Sequence, residues 1–363
     1  IVQTGSHLDT VPQGGNYDGA VGVVSGLEAI NAITQSGSSL SRGLELIVWR
    51  GEESGTFDVG YKGSKAAFGS LNPDFLRNKF NGRTLEAAIK SQGFDPSYIG
   101  NQTRVFTQSY IDSLIGHIEV HIEQGKVLET QNAEIGIVTS IRGPSRYLVK
   151  VSGNFDHSGA TPMGTEYRRD VNLAIAYMQV EINELAQKYL KTNDLVQTIG
   201  VINSDQQINA NELRVYQNGM TKISGFGYFK LDIRSNEKGF RDLYINKVLS
   251  SMRDTAARFK VDVEIKHLGS EEPVESLDGD IQKLILTNCE KLGYTKQPLP
   301  SGAGHDTGIV AKQKKSNGSC IPAGMIFIPC KYGISHAPEE LTSLESIAKG
   351  TRVLAHTMYD LAK

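Results

Sequence analysis

Imidazole and carboxylate side chains stand directly after short apolar segments of this chain. His7, Asp9 and Asp18 follow the apolar segment that opens the sequence, within the run Gly-Ser-His-Leu-Asp-Thr-Val-Pro and the turn-rich stretch after it. Glu52 and Glu53 follow the next apolar segment. Mixed nitrogen and oxygen donors of this kind suit a borderline-hard divalent cation such as Zn²⁺. The pattern predicts a metal-dependent hydrolase, in which Asp9 orients the His7 ring.

Further histidines stand in polar or glycine-rich motifs. His121 lies in His-Ile-Glu-Gln-Gly after strand-like alternation, and His336 lies in Gly-Ile-Ser-His-Ala-Pro-Glu after an apolar segment. His157 lies in Asp-His-Ser-Gly-Ala, and His305 lies in Ser-Gly-Ala-Gly-His-Asp. Each motif alone is equally consistent with a solvated turn or a structural histidine. Together they supply what a bimetallic hydrolytic site needs, namely a bridging carboxylate, further ligands for each metal, and an unligated carboxylate that accepts a proton from water.

The composition limits the other function classes. The chain has 363 residues and a net charge of -2, which gives it no overall field for binding nucleic acid or an anionic membrane. No apolar run approaches the roughly 18 to 20 residues of a membrane-spanning helix. The three cysteines are widely spaced, as in proteins of reducing compartments, so we expect a cytoplasmic protein. Because Ile1 falls inside a predicted strand, we also expect a fragment, with any targeting signal upstream.

Apolar periodicity indicates a strand, helix, strand order at the start of the chain. Residues 1–4 and 44–49 are short apolar runs typical of buried parallel strands, and between them Val23, Leu27 and Ile30 recur at helical spacing. We predict an α/β catalytic domain with a mostly parallel central sheet and helices on both faces. Its ligands should gather at the carboxyl ends of the strands.

The sequence pattern changes after Gly143. Residues 146–151 and 226–233 alternate like half-buried antiparallel strands, and helix-like segments accompany them in the order β-α-β-β-α-β. This order is typical of a ferredoxin-like, two-layer α+β domain. We therefore predict that residues 143–267 are inserted into a metal-binding catalytic domain made of residues 1–142 and 268–363.

The motifs together resemble the amidohydrolase branch of the aminoacylase-like dinuclear zinc metallopeptidase family. That branch includes N-carbamoyl-L-amino acid hydrolases, β-alanine synthase, and allantoate and ureidoglycolate amidohydrolases. The resemblance spans nearly the whole chain, in the runs GSHLDTVPQGGNYDGAVGVVSGLE, EESGTF, HIEQGKVLE, DHSGATPM with RRD, SGAGHD and GISHAPEE. The runs HIEQG and SGAGHD are specific to the amidohydrolases as opposed to the peptidases of the family.

The resemblance implies two divalent metal ions, usually Zn²⁺, although Mn²⁺, Co²⁺ and Ni²⁺ suit the same ligands. It implies that Asp18 bridges the two ions, and it leaves open which terminal ligand binds which ion. The implied terminal ligands are His7, Glu53, His121 and His336. Glu52 is the implied general base, which takes a proton from the attacking water and returns it to the departing nitrogen.

Other residues are implied to bind and activate the substrate. His157 resembles the family histidine that reaches the active site of the partner subunit and polarises the scissile group, which implies a homodimer and a dimerisation and lid role for the insert. Arg234, in Leu-Asp-Ile-Arg, resembles the arginine that grips the substrate carboxylate with its fixed fork of donors.

The resemblance also implies that Gln124 and His305 bind the substrate. An asparagine contributes as well, and Asn209 is preferred to Asn211 because the interval before Arg234 is expanded here. This expansion, and a threonine at position 56 where arginine is common in the family, leave the metal chemistry intact but put the choice of substrate in doubt.

We therefore expect hydrolysis of a linear C–N bond, with release of ammonia, in a small ureido compound that carries a carboxylate. The expected substrates are an N-carbamoyl amino acid, N-carbamoyl-β-alanine, allantoate and ureidoglycolate. One alternative is a di- or aminopeptidase of the same family. Another is a binding or regulatory protein that keeps the fold without turnover.

Overall fold

The computed structural model describes residues 1–203 and 219–363, so Asn209 and Asn211 lie outside the described residues. The described backbone divides into two compact units. The first contains Ile1–Ile141 and Ser276–Lys363, and the second contains Arg142–Glu275. None of the helices in the described residues has the length and apolarity needed to cross a bilayer.

A mixed, largely parallel sheet forms the centre of the first unit. Its strands are β1 (Val2–His7), β2 (Leu44–Trp49), β5 (Gly116–Ile122), β6 (Ile135–Ile141), β13 (Lys296–Ser301) and β14 (Ala323–Ile328). Within the described residues the strand order is β13-β6-β14-β5-β1-β2. Neighbouring strands are parallel except β14 and β6, which are antiparallel. The predicted α/β class is confirmed.

Helices cover both faces of this sheet. The longer ones are α1 (Ala20–Gln35), α9 (Gly279–Leu292) and α11 (Leu344–Ala362). The short elements are α2 (Lys62–Ala67), α3 (Leu85–Ser91), α4 (Ser97–Gly100), α5 (Gln108–Ser113), α6 (Val127–Gln131), α10 (Asp306–Val310), the 3₁₀ turns Pro73–Arg77 and Lys331–Gly333, and the hairpin strands β3 (Lys79–Phe80) and β4 (Arg83–Thr84).

Alternate residues of β5 face opposite sides of the sheet, as the period of a strand requires. Ile118, Val120 and Ile122 join the apolar core under α1, α9 and α11. The residues between them are polar and equally buried, and they are His117, Glu119 and His121. One strand therefore anchors the core on one face and carries chemical groups on the other.

The second unit contains an antiparallel sheet of β7 (Gly143–Ser152), β9 (Val196–Asn203), β11 (Phe226–Ser235) and β12 (Asp262–Ser270). In the described residues their order is β12-β7-β11-β9. Helices α7 (Val171–Gln187) and α8 (Lys238–Phe259) bury their apolar faces in the same core as the sheet, and β8 (Asp156–His157) pairs with β10 (Lys222–Ile223).

This unit has the β-α-β-β-α-β order of a ferredoxin-like fold. Its end lies beyond residue 267, where the sequence placed the boundary, because β12 continues to Ser270 and the amide of Glu271 donates to the carbonyl of Pro144. The sequence pattern missed this extension because residues 268–270 lack an apolar alternation.

Close packing of α1 on the sheet depends on Gly22. A Cβ at Gly22 would lie 2.3 Å from the carbonyl oxygen of Val120 and 2.7 Å from Cβ of Ser6. Because these are backbone and near-backbone atoms, we expect Gly22→Ala to lower the free energy of unfolding by about 1–3 kcal/mol, the usual cost of overpacking. Gly43→Ala is the matched control, since a Cβ there meets nothing within 4 Å. Equal denaturation midpoints of the two variants would contradict this account.

Candidate metal centre

Four strands of the first unit deliver polar residues to one edge of the sheet. β1, β2, β5 and β14 run in the same direction, so their carboxyl ends meet at this edge. His7 is the last residue of β1, and His121 lies next to the last residue of β5. Glu52 and Glu53 follow β2, and His336 follows β14.

The Asp18 carboxylate lies at the centre of these residues. Its Oδ1 is 3.5 Å from Nε2 of His7 and 3.1 Å from Nε2 of His121. Its Oδ2 is 3.1 Å from Nε2 of His336, which is itself 3.4 Å from Oε1 of Glu53. Each oxygen of one buried carboxylate thus faces a different set of ligand atoms, which is the arrangement of a bridging ligand.

The geometry defines two groups that share Asp18. His7, Asp18 and His121 form one, and Asp18, Glu53 and His336 form the other; in each group the ligand atoms lie within 4.8 Å of one another. Both groups combine imidazole nitrogen with carboxylate oxygen, the donor set that suits Zn²⁺ and its neighbours.

The tautomers of two histidines fit metal binding. Nδ1 of His7 lies 2.9 Å from the carbonyl oxygen of Asp9, and Nδ1 of His121 lies 2.9 Å from that of Ile122. A carbonyl only accepts, so each ring carries a proton on Nδ1 and, when neutral, points a lone pair from Nε2 at Asp18. A lone pair and a carboxylate oxygen repel each other unless a cation or a proton lies between them.

The pKa values of the ligands reflect this need for positive charge. Burial lowers the pKa of His7, but the hydrogen bond to Asp18 and the charge of Glu52 outweigh it and raise the pKa to about 10. Hydrogen bonds to Asp18 and then Glu53 raise the pKa of His336 to about 10. A metal ion at either group must therefore displace protons.

Glu52 lies beside the ligands without belonging to either group among the described residues. Its Oε2 is 3.9 Å from Nε2 of His7, and the residue is 8% exposed. Burial raises the pKa of Glu52 well above its usual value, and the charges of Asp306 and Glu53 add to this. A carboxylate in such a place can accept a proton at neutral pH.

The side chain of Asp9 positions the acidic pair, while its backbone carbonyl holds the His7 ring. Its Oδ1 accepts the amide protons of Gly51 at 2.9 Å and Glu52 at 3.1 Å, and its Oδ2 accepts that of Glu53 at 3.1 Å. Its carboxylate is 3.8 Å from Nδ1 of His7, whereas its backbone carbonyl makes the hydrogen bond. Asp9 therefore accepts from the His7 ring as expected, but through its backbone carbonyl and not through its side chain.

Lys62 holds the other side of the same loop. Its Nζ donates to the carbonyl oxygens of Glu53 at 2.7 Å, Val59 at 2.7 Å and Thr56 at 3.3 Å. No sequence motif indicates Lys62, because a lysine that binds backbone carbonyls leaves no pattern in the residue types.

His305 lies behind His121, with ring centroids 4.6 Å apart. Its Nε2 pairs with Oγ of Ser301 at 2.8 Å, and it is 3% exposed. Burial, and then the charge of His121, lower the pKa of His305 to about 3, so the ring is neutral. Its burial favours support of His121 over the predicted contact with a substrate.

Gln124 reaches into the centre. Its Nε2 donates to Oδ2 of Asp18 at 2.8 Å and lies 3.3 Å from Nε2 of His336. Its buried Oε1 has no hydrogen-bond partner among the described residues. A buried acceptor of this kind can receive a donor from a ligand.

The second unit carries His157 and Arg234. His157 is exposed, and its Nδ1 accepts the amide protons of Gly159 and Ala160, each at 3.1 Å, so the neutral ring carries its proton on Nε2. The Arg234 guanidinium donates to both carboxylate oxygens of Asp232 at 3.0 Å, which fixes its orientation.

Comparison with known proteins identifies the family. The family model described as "Peptidase family M20/M25/M40" matches residues 4–360 of this chain. The chain therefore belongs to that family. An N-carbamoyl-L-amino acid amidohydrolase of Geobacillus stearothermophilus is 33% identical, over 100% of this chain and 82% of the relative. An allantoate amidohydrolase of Escherichia coli K12 is 32% identical, over 100% and 81% respectively. A ureidoglycolate hydrolase of Arabidopsis thaliana is 30% identical, over 99% and 72%.

Solved structures give the same result. A crystal structure of an amidase of the hydantoinase/carbamoylase family from Burkholderia multivorans matches with a TM-score of 0.82 and 26% identity, over 99% of this chain and 80% of that one. The aminopeptidase PepT of Bacillus cereus shares only the fold, at 15% identity and a TM-score of 0.60. The predicted resemblance to the amidohydrolase branch is confirmed, and the peptidase alternative has less support.

Because metal ions and protons compete for His7 and His336, we expect the apparent affinity for Zn²⁺ to rise with pH, roughly tenfold per pH unit for each proton displaced. Both pKa values lie near 10 without metal, so the rise continues through the neutral range. Competition with a chelator between about pH 6 and pH 8 measures it. The control variant is His356→Gln, which replaces an exposed histidine of α11 outside the metal centre. A pH-independent affinity would rule out both histidines as ligands.

Proposed function

We propose that this protein is a dinuclear metal-dependent amidohydrolase that cleaves a linear C–N bond of a carboxylate-bearing ureido compound and releases ammonia. The proposed substrates are an N-carbamoyl amino acid, N-carbamoyl-β-alanine, allantoate or ureidoglycolate. The observation that carries the proposal is the Asp18 carboxylate, which faces a separate ligand group with each oxygen while Glu52 stays free beside them. The names of the full-length relatives support this substrate class.

The proposed cofactor is a pair of Zn²⁺ ions, for which Mn²⁺, Co²⁺ or Ni²⁺ can substitute. His7 and His121 would hold one ion, Glu53 and His336 would hold the other, and Asp18 would bridge them. When bound, the ions supply Lewis acidity for the scissile bond and for the activation of water. The sequence left this pairing open, and the two oxygens of Asp18 now favour one assignment.

Glu52 is the proposed general base. It takes a proton from the water that forms the new C–O bond and gives it to the nitrogen as the C–N bond breaks, so that the nitrogen leaves as neutral ammonia or as a neutral amine. Burial raises the pKa of Glu52 above its usual value, which makes it a stronger base toward the attacking water. The three amide hydrogen bonds to Asp9 and the lysine hydrogen bond at Glu53 keep the loop rigid during the exchange.

His157 and Arg234 are the proposed groups that act on the substrate from the second unit. The Nε2–H of His157 is a donor for the oxygen of the scissile group, on which negative charge develops. Arg234 would bind the substrate carboxylate with N–H groups other than the two that donate to Asp232, which holds the guanidinium in place. His157 is exposed, as expected for a residue that reaches the active site of a second subunit, and this supports a homodimer.

Further contacts complete the proposal. Gln124 would accept a substrate N–H with its unpaired Oε1. Asn209 remains the predicted asparagine contact, outside the described residues. The described cysteines are all free thiols, which supports a reducing compartment such as the cytoplasm.

The proposal is tested with Zn²⁺- and Mn²⁺-loaded protein on the four ureido substrates. We expect ammonia release from at least one. Glu52→Gln should keep the metal content and lower turnover at least about a hundredfold, the usual contribution of a general base. Glu53→Gln is the matched comparison and should lose metal. If the metal-loaded protein releases no ammonia from any of the four substrates, or cleaves dipeptides faster, the proposed activity is rejected. If Glu52→Gln loses metal, the roles of Glu52 and Glu53 are reversed.

Arg234 is tested by its effect on substrate affinity. Arg234→Ala should raise KM for carboxylate substrates by about tenfold or more, since a charge-assisted hydrogen bond contributes roughly 1.5–3 kcal/mol. Arg234→Lys should recover only part of the affinity, because a lysine keeps the charge but lacks the planar fork. Steady-state ammonia release measures both. An unchanged KM in Arg234→Ala would remove Arg234 from the substrate site.

A further inference from the structure

One buried carboxylate joins the loop of Asp18 to the loop of His336. Glu340 is 3% exposed. Its Oε1 accepts the amide protons of Tyr17 at 3.0 Å and Asp18 at 2.9 Å. Its Oε2 accepts from Oγ of Ser335 at 2.8 Å and from the amide of His336 at 3.3 Å. Both oxygens are therefore used, one on each loop.

These two loops need such a connection. Asp18 lies in the turn that precedes α1, and His336 lies in a turn with a positive φ of 58°. The hydrogen bonds of Glu340 to Tyr17 and Asp18 span 323 and 322 positions of the sequence. Local structure alone cannot fix the distance between two such segments, whereas a shared carboxylate can.

Packing around Glu340 supports the same conclusion. A Cβ at Gly15 would lie 2.3 Å from both Cβ and Oε1 of Glu340, so the loop before Asp18 closes tightly over this side chain. Ser335, which donates to Glu340, also lies 3.3 Å from Nε2 of Gln124. The carboxylate is thus enclosed by the groups that it orders.

We propose that Glu340 is a positioning residue that sets the separation of Asp18 and His336 and so preforms the group made by Asp18, Glu53 and His336. The inference rests on the metal assignment of the proposed function. Glu340 does not itself belong to a ligand group among the described residues; it acts through the backbone amides of the two ligands.

Replacing Glu340 with glutamine tests the hydrogen bonds of the carboxylate separately from the size of the side chain. Glutamine keeps the size of the side chain but has one acceptor oxygen, so its NH₂ group must face either the amides of Tyr17 and Asp18 or the hydroxyl of Ser335 and the amide of His336. A backbone amide cannot accept from this NH₂ group, so the loop that meets it loses at least one hydrogen bond to a metal ligand. Metal affinity should then fall by about 10–100-fold, the usual effect of removing a group that orients a metal ligand.

The experiment compares Glu340→Gln with Glu339→Gln, an exposed acid one position earlier. Zn²⁺ affinity and stoichiometry are measured by chelator competition, and the fold of the metal-free proteins by circular dichroism. We expect weaker Zn²⁺ binding in Glu340→Gln alone, with an unchanged spectrum, and recovery of kcat at saturating Zn²⁺. Wild-type affinity in Glu340→Gln, or equal loss in both variants, would overturn the inference.

A second variant keeps the test decisive if Glu340→Gln does not fold. Ser335→Ala removes one of the donors to Glu340, and it should weaken Zn²⁺ binding less than Glu340→Gln but measurably; wild-type affinity would count against the inference. Failure of the proposed function would give a different experimental result. A wild-type protein that binds Zn²⁺ but releases no ammonia would reject the substrates and leave the role of Glu340 standing.

Discussion

The centre depends on one electrostatic constraint, the burial of a carboxylate among imidazoles. Asp18 is 5% exposed and faces nitrogen atoms of His7, His121 and His336. Backbone carbonyls fix the proton of two of these rings on the far nitrogen, so their lone pairs meet the carboxylate. A positive charge must lie between the carboxylate and the imidazole nitrogens, because burying an anion next to lone pairs otherwise costs free energy. The surrounding hydrogen bonds serve to keep these groups in place.

Many residues of the metal centre could be predicted from the sequence, because residue type and position at a strand end determine their place. Short apolar runs identified β1 and β2, and parallel strands necessarily gather His7 and Glu52 at one edge of the sheet. The alternation of β5 places His121 opposite a core residue, which the sequence displays directly. The β-α-β-β-α-β order of the second unit followed from the same periodicities.

What escaped prediction depends on backbone atoms and on burial. Asp9 and Lys62 bind amides and carbonyls of the loop after β2, and such contacts have no signature in residue types. His305 stands in a glycine-rich motif that suggests exposure, yet it is packed behind His121. Glu340 sits in the recognised run GISHAPEE, but only the fold shows that it meets the loop of Asp18. Contacts between distant segments are invisible to local pattern.

The place of β14 in the sheet bears on how the protein is made. β14 lies between β6 and β5, although it follows both of them in the chain. Until it emerges, β5 and β6 have unpaired backbone edges, which are templates for aggregation. The nascent first unit therefore stays incomplete while the inserted unit, whose sequence is continuous, can already fold. We expect chaperones to be needed most after β6 has been synthesised and before β14 emerges.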